Sequence, residues 1–378
     1  MSGSYQTDAR RRDGEPVHLP ILSSSSSSSH TPSPGVSAGP LIDGLARRIR
    51  YVRISLTDRC NYRCTYCMPD EGIELAPRAD VLSFEELEAT VRALQQVGVE
   101  RVRLTGGEPT VRKDLIELVS RLSRLGLQDL ALSTNGERLE ELALPLRRAG
   151  LHRLNVSVDT LQPDRFAQVT RRGSLTKVLA GLEAARTAGF AHTKLNCVAM
   201  RGFNDDELGA LCRYAWDRDM IPRLIELMPM AEGQLFYPGT FLSVAEQRKI
   251  LTAELGPLLS VETGESDSEL PGVGPARYVA VRYGGLLRKV GLISAVSEPF
   301  CDTCNRVRLS ATGQLHACLA YDDAIDLRRV LRSGLAGDDL VDRLVQAARG
   351  GLSNKRAGHV FSESGCGGPR KHMVSIGG

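Results

Sequence analysis

RVRLTGGEPTVRKDLIELVSRLSRLGLQDLALS, residues 101–133, is the stretch on which the fold turns. Residues 101–104 read as a short β-run, 114–125 carry the apolar spacing of a helix, and 129–133 form a second β-run. Strand, helix and strand in so short a length make a βαβ unit, whose strands lie parallel with a right-handed crossover. The alternation extends both ways. β-rich runs recur at residues 51–56, 153–158, 194–199 and 223–227, with helical patterns at 84–97, 138–149, 175–188 and 205–218. Ser83 followed three residues later by Glu86 reads as a capping box for the first of these helices. Six strand–helix repeats fall short of the eight of a closed barrel. The expected fold is α/β: an incomplete (β/α)6 triosephosphate-isomerase-type barrel, open on one side, with function at the C-terminal ends of its strands.

Past Pro229 the rhythm breaks. A helix-like stretch at 244–255 is followed by an acidic, glycine- and proline-rich loop at 262–275. Then come β-like runs at 278–283 and 286–292, a cysteine cluster, and helices around 326–331 and 338–347. The expected organisation is a disordered extension over residues 1–40, the partial barrel over 41–240, a C-terminal α+β region over 241–349, and a flexible, glycine-rich tail over 350–378. The extension contains the serine run 23–29 and little apolar periodicity. A transit peptide is the rival reading, but Asp8, Asp13 and Glu15 count against it.

The 378 residues are 42% hydrophobic and 25% charged, as in soluble globular proteins. A net charge of +3 is too small to argue for nucleic acid or a membrane surface. No run of about 18 apolar residues exists to span a bilayer. Nine cysteines without an export signal read as reduced, so the expected location is cytoplasmic. Most of the basic residues are arginine, which suits bidentate phosphate recognition.

Six of the cysteines lie in two sets of three, which points to ligation over disulfides. Cys60, Cys64 and Cys67 form C-x3-C-x2-C directly after the first β-run. Three thiolates on a short loop can hold three irons of a cubane and leave the fourth open to a small molecule. A zinc site would need a fourth ligand, and no histidine lies near in the sequence. Gly106-Gly107-Glu108-Pro109 follows the second β-run: glycines there admit close backbone approach, and a carboxylate can accept from an ammonium. Cys301, Cys304 and Cys318 are the second set, for which a zinc site completed by His316 is the competing reading. Between them, Arg306 and Arg308 would share one face if extended, a pairing suited to a triphosphate or a purine.

The first triad, with Tyr66 before its last cysteine, resembles the signature of the radical S-adenosylmethionine superfamily. That resemblance implies a [4Fe-4S] cluster whose open iron binds S-adenosylmethionine and whose electron cleaves it to a 5′-deoxyadenosyl radical. C-D-T-C-N-R-V-R at 301–308, with Cys318 beyond, resembles the GTP 3′,8-cyclase family of molybdenum cofactor biosynthesis. So do R-I-S-L-T-D-R-C at 53–60, R-L-T-G-G-E at 103–108, N-V-S-V-D at 155–159 and the final Gly377-Gly378. The resemblance covers the chain from about residue 50 to its end.

The family resemblance implies two [4Fe-4S] clusters, the first for S-adenosylmethionine and the second holding the guanine of GTP. The product would be (8S)-3′,8-cyclo-7,8-dihydroguanosine 5′-triphosphate, passed to cyclic pyranopterin monophosphate synthase; a homodimer is compatible with it, and the reductant is not specified. By matching positions Tyr66, Gly107, Ser157 and Met228 meet S-adenosylmethionine. Arg53, Arg103, Ser133, Lys194, Arg306, Val307 and Arg308 meet GTP, with Thr134 as the alternative to Ser133. Glycine tails are often frayed ends, but the resemblance gives Gly377 and Gly378 a place in the active site. Cys197 and Cys212 read as small buried apolar residues, and Cys366 has no assigned role. Two rivals remain at this level: a radical enzyme that modifies peptides, and a zinc-stabilised binding protein.

Overall fold

Alternation along each strand decides which side chains meet helices and which meet one another. The computed structural model describes residues 39–230, 237–261, 274–359, 361 and 368–377. Six strands, β1 (Tyr51–Ser55), β2 (Arg101–Thr105), β3 (Asp129–Thr134), β4 (Arg153–Ser157), β5 (Lys194–Ala199) and β6 (Ile221–Glu226), run parallel in chain order. Between them lie α1 (Phe84–Gln96), α2 (Leu115–Ser123), α3 (Leu139–Arg148), α4 (Pro163–Thr170), α5 (Leu175–Thr187) and α6 (Leu208–Trp216). One set of strand side chains is apolar and fully buried: Val52, Ile54, Val102, Leu104, Leu130, Leu132, Leu154 and Val156. It faces the helices. The expected capping box starts α1: Ser83 Oγ accepts from Glu86 N–H at 3.2 Å, and the Glu86 carboxylate accepts from Ser83 N–H at 2.7 Å.

The other set is polar. Tyr51, Arg53, Arg101, Arg103, Asp129, Arg153, Asn155, Lys194, Asn196 and Arg223 sit at alternating positions and turn inward. Burial, with Arg103 on β2 adding to it, depresses the pKa of Arg223 on β6 to about 10. Only a sheet curled into a barrel brings those strands face to face.

The remaining elements are α7 (Val244–Leu255), β7 (Leu259–Ser260), β8 (Arg277–Tyr283), β9 (Leu286–Ile293), β10 (Arg306–Leu309), β11 (Gln314–His316), β12 (Ile325–Asp326), α8 (Leu327–Leu331), α9 (Gly337–Leu352) and α10 (Met373–Ile376). β9 adds parallel to β6, and β10 adds parallel to β1, giving the order β12-β11-β10-β1-β2-β3-β4-β5-β6-β9-β8-β7. The segment expected as residues 241–349 supplies strands to both edges of the barrel sheet. The described residues belong to one compact unit. The physical reason is edge pairing, since β1 and β6 would otherwise present unpaired backbone.

Parts of the described tail are packed. Residues 350–352 close α9, where a Cβ on Gly351 would run into the Ile325 side chain. Lys355 is 5% exposed, and Val374 and Ile376 of α10 are buried. Glycine in this stretch permits close packing. Of the proposed extension, residues 1–38 lie outside the described residues, as do Cys366 and Gly378.

Candidate active site

The loop after β1 carries Cys60, Cys64 and Cys67, all half-buried and reduced. α4 pins it from outside. Arg63 N–H donates to Thr170 O at 3.0 Å, Thr65 N–H to Val169 O at 2.9 Å, and Tyr62 meets Phe166 edge-on at 6.2 Å. Within the loop Cys67 and Met68 N–H both donate to Cys64 O at 3.0 Å. Burial pushes the Cys60 thiol up to about 11 and Cys67 up to about 12, with Cys64 also raised well above its usual range. Without a cation these sulfurs stay protonated, and metal charge reverses that preference. Among the described residues no three His, Cys, Asp or Glu side chains converge on a single point, as one metal ion needs. A cubane makes no such demand, because each thiolate takes its own iron. The trio fits that group.

Gly106 and Gly107 bring the end of β2 against this loop. A Cβ on Gly107 would lie 2.4 Å from Arg59 O, while Gly107 N–H donates to Thr57 O at 2.6 Å and Glu108 N–H to Arg59 O at 2.8 Å. Glu108 is 1% exposed and accepts from Thr110 N–H and Oγ1, Thr134 Oγ1 and Asn135 N–H. Its carboxylate organises the strand ends. Thr134 is therefore occupied, and Ser133, in register with Asn155, keeps the inward hydroxyl. Tyr66 Oη donates to Asp159 Oδ2 at 2.7 Å, and Asp159 Oδ1 accepts from Val198 N–H at 2.8 Å. Burial lifts Asp159 to about 6 despite those bonds. Ser157 is exposed at the end of β4. Met228 packs with Tyr66 and Cys318 on a cluster of Leu227, Met230, Phe241, Phe361 and Ile376.

Below this rim the barrel is lined with cations. Register puts Arg53, Arg103 and Arg308 at one level and Tyr51, Arg101 and Arg306 at the next. Lys194 and Arg223 face them from β5 and β6. Burial, then Arg223, Arg153 and Arg103, depress Lys194 to about 6. Arg223 donates to Asn155 Oδ1 and Asn196 Oδ1 at 2.9 and 2.7 Å. The sole acid of this inward set among the described residues is Asp129, which the Arg153 fork holds. So dense a positive lining calls for an anion.

Cys301 and Cys304 lie on a 3-10 turn just before β10, with Cys304 N–H donating to Cys301 O at 3.1 Å. Burial opposes ionisation of Cys304, yet Arg306 and Lys355 outweigh it and bring the thiol down to about 7. Lys355 Nζ donates to Cys304 Sγ at 3.5 Å, Cys304 O at 3.2 Å and Arg306 O at 2.7 Å. His316, the proposed zinc ligand, has its Nδ1 turned to Lys371 Nζ at 3.0 Å and Asp323 O at 3.1 Å. The tail then closes the mouth. Arg308 donates to the Gly377 carbonyl, and a backbone N–H of Val374 points at the Cys67 sulfur.

Residues 54–215 match the model of the radical SAM superfamily, and residues 220–361 match that of Molybdenum Cofactor Synthesis C. A GTP 3′,8-cyclase of Heliobacterium modesticaldum is 44% identical over 89% of this chain and 100% of its own length. Another, from Caulobacter vibrioides, is 42% identical over 92% and 98%. The chain belongs to the GTP 3′,8-cyclase family. Radical SAM membership brings with it a [4Fe-4S] cluster and S-adenosylmethionine. Among solved structures, Streptococcus suis SuiB bound to its precursor peptide SuiA aligns with TM-score 0.51 at 12% identity, covering 88% of this chain and 71% of that one. That likeness concerns the fold alone.

Apart from the second cysteine set and the tail glycines, the residues singled out in the sequence fall into two groups. Cys60, Cys64, Cys67, Tyr66, Gly107, Ser157 and Met228 gather at the strand ends. Arg53, Arg103, Ser133, Lys194, Arg306 and Arg308 line the interior. Val307 is the exception: it is buried opposite Val52 on the outward face, so its backbone alone remains for a ligand. Sequence reasoning missed Arg101, Asp129, Arg153, Asn196, Arg223 and Lys355. The signal for the strand residues was present as charges at alternating positions, which on an open sheet mark a solvated face.

Proposed function

We propose that this chain converts GTP to (8S)-3′,8-cyclo-7,8-dihydroguanosine 5′-triphosphate, the first step of molybdenum cofactor biosynthesis. The observation that carries the reading is the barrel interior, where, among the described residues, inward arginines and Lys194 outnumber the one inward acid, Asp129, which Arg153 holds. Arg53, Arg103, Lys194 and Arg308 hold the triphosphate, with arginine forks supplying paired donors. Ser133 adds a hydroxyl. Cys60, Cys64 and Cys67 hold the first cluster, and when bound it supplies the electron that cleaves S-adenosylmethionine. Gly107 lets backbone approach that cosubstrate, while Tyr66, Ser157 and Met228 wall its site. Cys301, Cys304 and Cys318 would hold a second [4Fe-4S] cluster, whose open iron would offer the guanine a ligand position, with Arg306 and Val307 beside it. Tail residues Gly377 and Gly378 complete the site, and the apolar cluster around Ile376 keeps water from the reacting ribose.

The enzyme works in the cytoplasm with a separate electron donor and hands its product to cyclic pyranopterin monophosphate synthase. Anaerobically reconstituted protein, reduced and given S-adenosylmethionine and GTP, should yield 5′-deoxyadenosine and the cyclised nucleotide. Deoxyadenosine formed equally without GTP, with no cyclised product, would sink the substrate assignment. About eight irons per chain are expected for two cubanes; stoichiometric zinc at the second site would remove the second cluster.

A further inference from the structure

Asp159 lies just beyond the end of β4 and is 5% exposed. Tyr66 Oη donates to its Oδ2 at 2.7 Å, and Val198 N–H of β5 donates to its Oδ1 at 2.8 Å. Among the described residues no lysine or arginine pairs with it. Each contact brings a hydrogen to a carboxylate oxygen, so the ionised form fits both. An asparagine would serve them as well: its carbonyl accepts from Val198, and its amide donates to the Tyr66 oxygen. The bonds alone therefore do not call for a charge, and a buried carboxylate without a cation is costly to keep. What the charge acts on lies on the other side of Tyr66. That residue sits between Cys64 and Cys67, and burial first, then a neighbouring cysteine, then Asp159 raise both thiols. The field of the carboxylate thus reaches two sulfurs of the trio.

A field that opposes ionisation of a thiol also opposes the arrival of an electron on a cluster held by those thiolates. Net charge and burial are among the terms that set such potentials. At an effective dielectric of about 20, a unit charge roughly 10 Å away alters a one-electron equilibrium by about tenfold. We infer that Asp159 is a positioning residue for the first cluster: through Tyr66 it fixes the Cys64–Cys67 turn, and its negative charge makes the cluster harder to reduce and a stronger donor of its electron. This rests on Cys60, Cys64 and Cys67 holding the cluster that radical SAM membership brings.

The test is an anoxic redox titration of the full-length, cluster-loaded protein, followed by spin resonance without S-adenosylmethionine. The first cluster is the one whose signal changes when S-adenosylmethionine is added to a parallel sample. Asp159→Asn should raise its midpoint by about 59 mV, a tenfold gain in the ratio of reduced to oxidised cluster at fixed potential. Tyr66→Phe removes the bond but keeps the charge, so its midpoint should stay at or below that of the wild type. An unchanged midpoint in Asp159→Asn would overturn the inference. Equal rises in both variants would do the same, since they report a displaced loop and not a lost charge. Iron lost from Asp159→Asn would also overturn it and assign the carboxylate to cluster assembly. If Cys64→Ala keeps the signal that responds to S-adenosylmethionine, the ligand reading falls first and leaves Asp159 no cluster to act on.

Discussion

Lys194 is surrounded by charge of its own sign. Burial and the three arginines Arg223, Arg153 and Arg103 put its ammonium near pKa 6, so most of it is neutral at neutral pH. A triphosphate bound beside it favours the charged form and lifts that value. Between the two pKa values the complex holds one more proton than the free protein, so GTP affinity should fall as pH rises, by up to about tenfold per unit above 6. Calorimetry in two buffers of different ionisation heat should show close to one proton taken up at pH 7.5. Lys194→Met should abolish that uptake, and a proton count unchanged by the substitution would remove Lys194 from the phosphate site. A second lysine acts on a sulfur. Lys355→Met keeps the stem but removes the donor to Cys304 Sγ and two carbonyls. The Cys304 thiol should then rise from about 7. On the proposal that Cys301, Cys304 and Cys318 hold a second cluster, iron there should drop several-fold with the first site intact, as read by metal analysis and spin resonance.

At the scale of elements, the clasp between β2 and the cysteine loop is the part most exposed to a single methyl group. Gly107→Ala would set a Cβ 2.4 Å from Arg59 O, a backbone atom that cannot swing away. The two hydrogen bonds to Thr57 O and Arg59 O must then break or lengthen. A loss of about 2–4 kcal/mol in stability is expected, together with weaker S-adenosylmethionine binding; a wild-type melting temperature would show the loop to be looser than this packing implies. Helix α1 was legible from apolar spacing and from Ser83 with Glu86 three residues on, and α7 as a helix-like stretch; the structure adds a second capping box at Ser243 and Glu246. α4 was not legible, because eight residues starting at Pro163 give little period to read, although Phe166 and Val169 anchor the cysteine loop. The cysteines and Gly106-Gly107 announced themselves by spacing. Arg101, Arg153 and Arg223 did not, since a strand cannot say in its own sequence whether its polar face meets water or the inside of a barrel.

At the scale of the whole molecule, the C-terminal third supplies what the first six strands lack. β10 pairs with β1 and β9 with β6, while Phe361 and Ile376 join Leu227, Met230 and Phe241 in one apolar cluster. The pairing is remote in sequence, so local pattern could only present residues 241–349 as a separate region. A fragment ending at residue 240 would keep all six βα repeats and the first three cysteines. It would also bare the edges of β1 and β6 and leave Arg53 without Arg308 alongside and Leu227 without its cover. Open edges of that kind pair with other chains. The fragment should therefore aggregate and show no cooperative melting, whereas the full chain should unfold in one transition followed alike by circular dichroism and by release of iron. Two separated transitions, or a monomeric fragment that melts sharply, would mean that the first six strands are a domain in their own right and that β9 and β10 merely lean on a finished barrel.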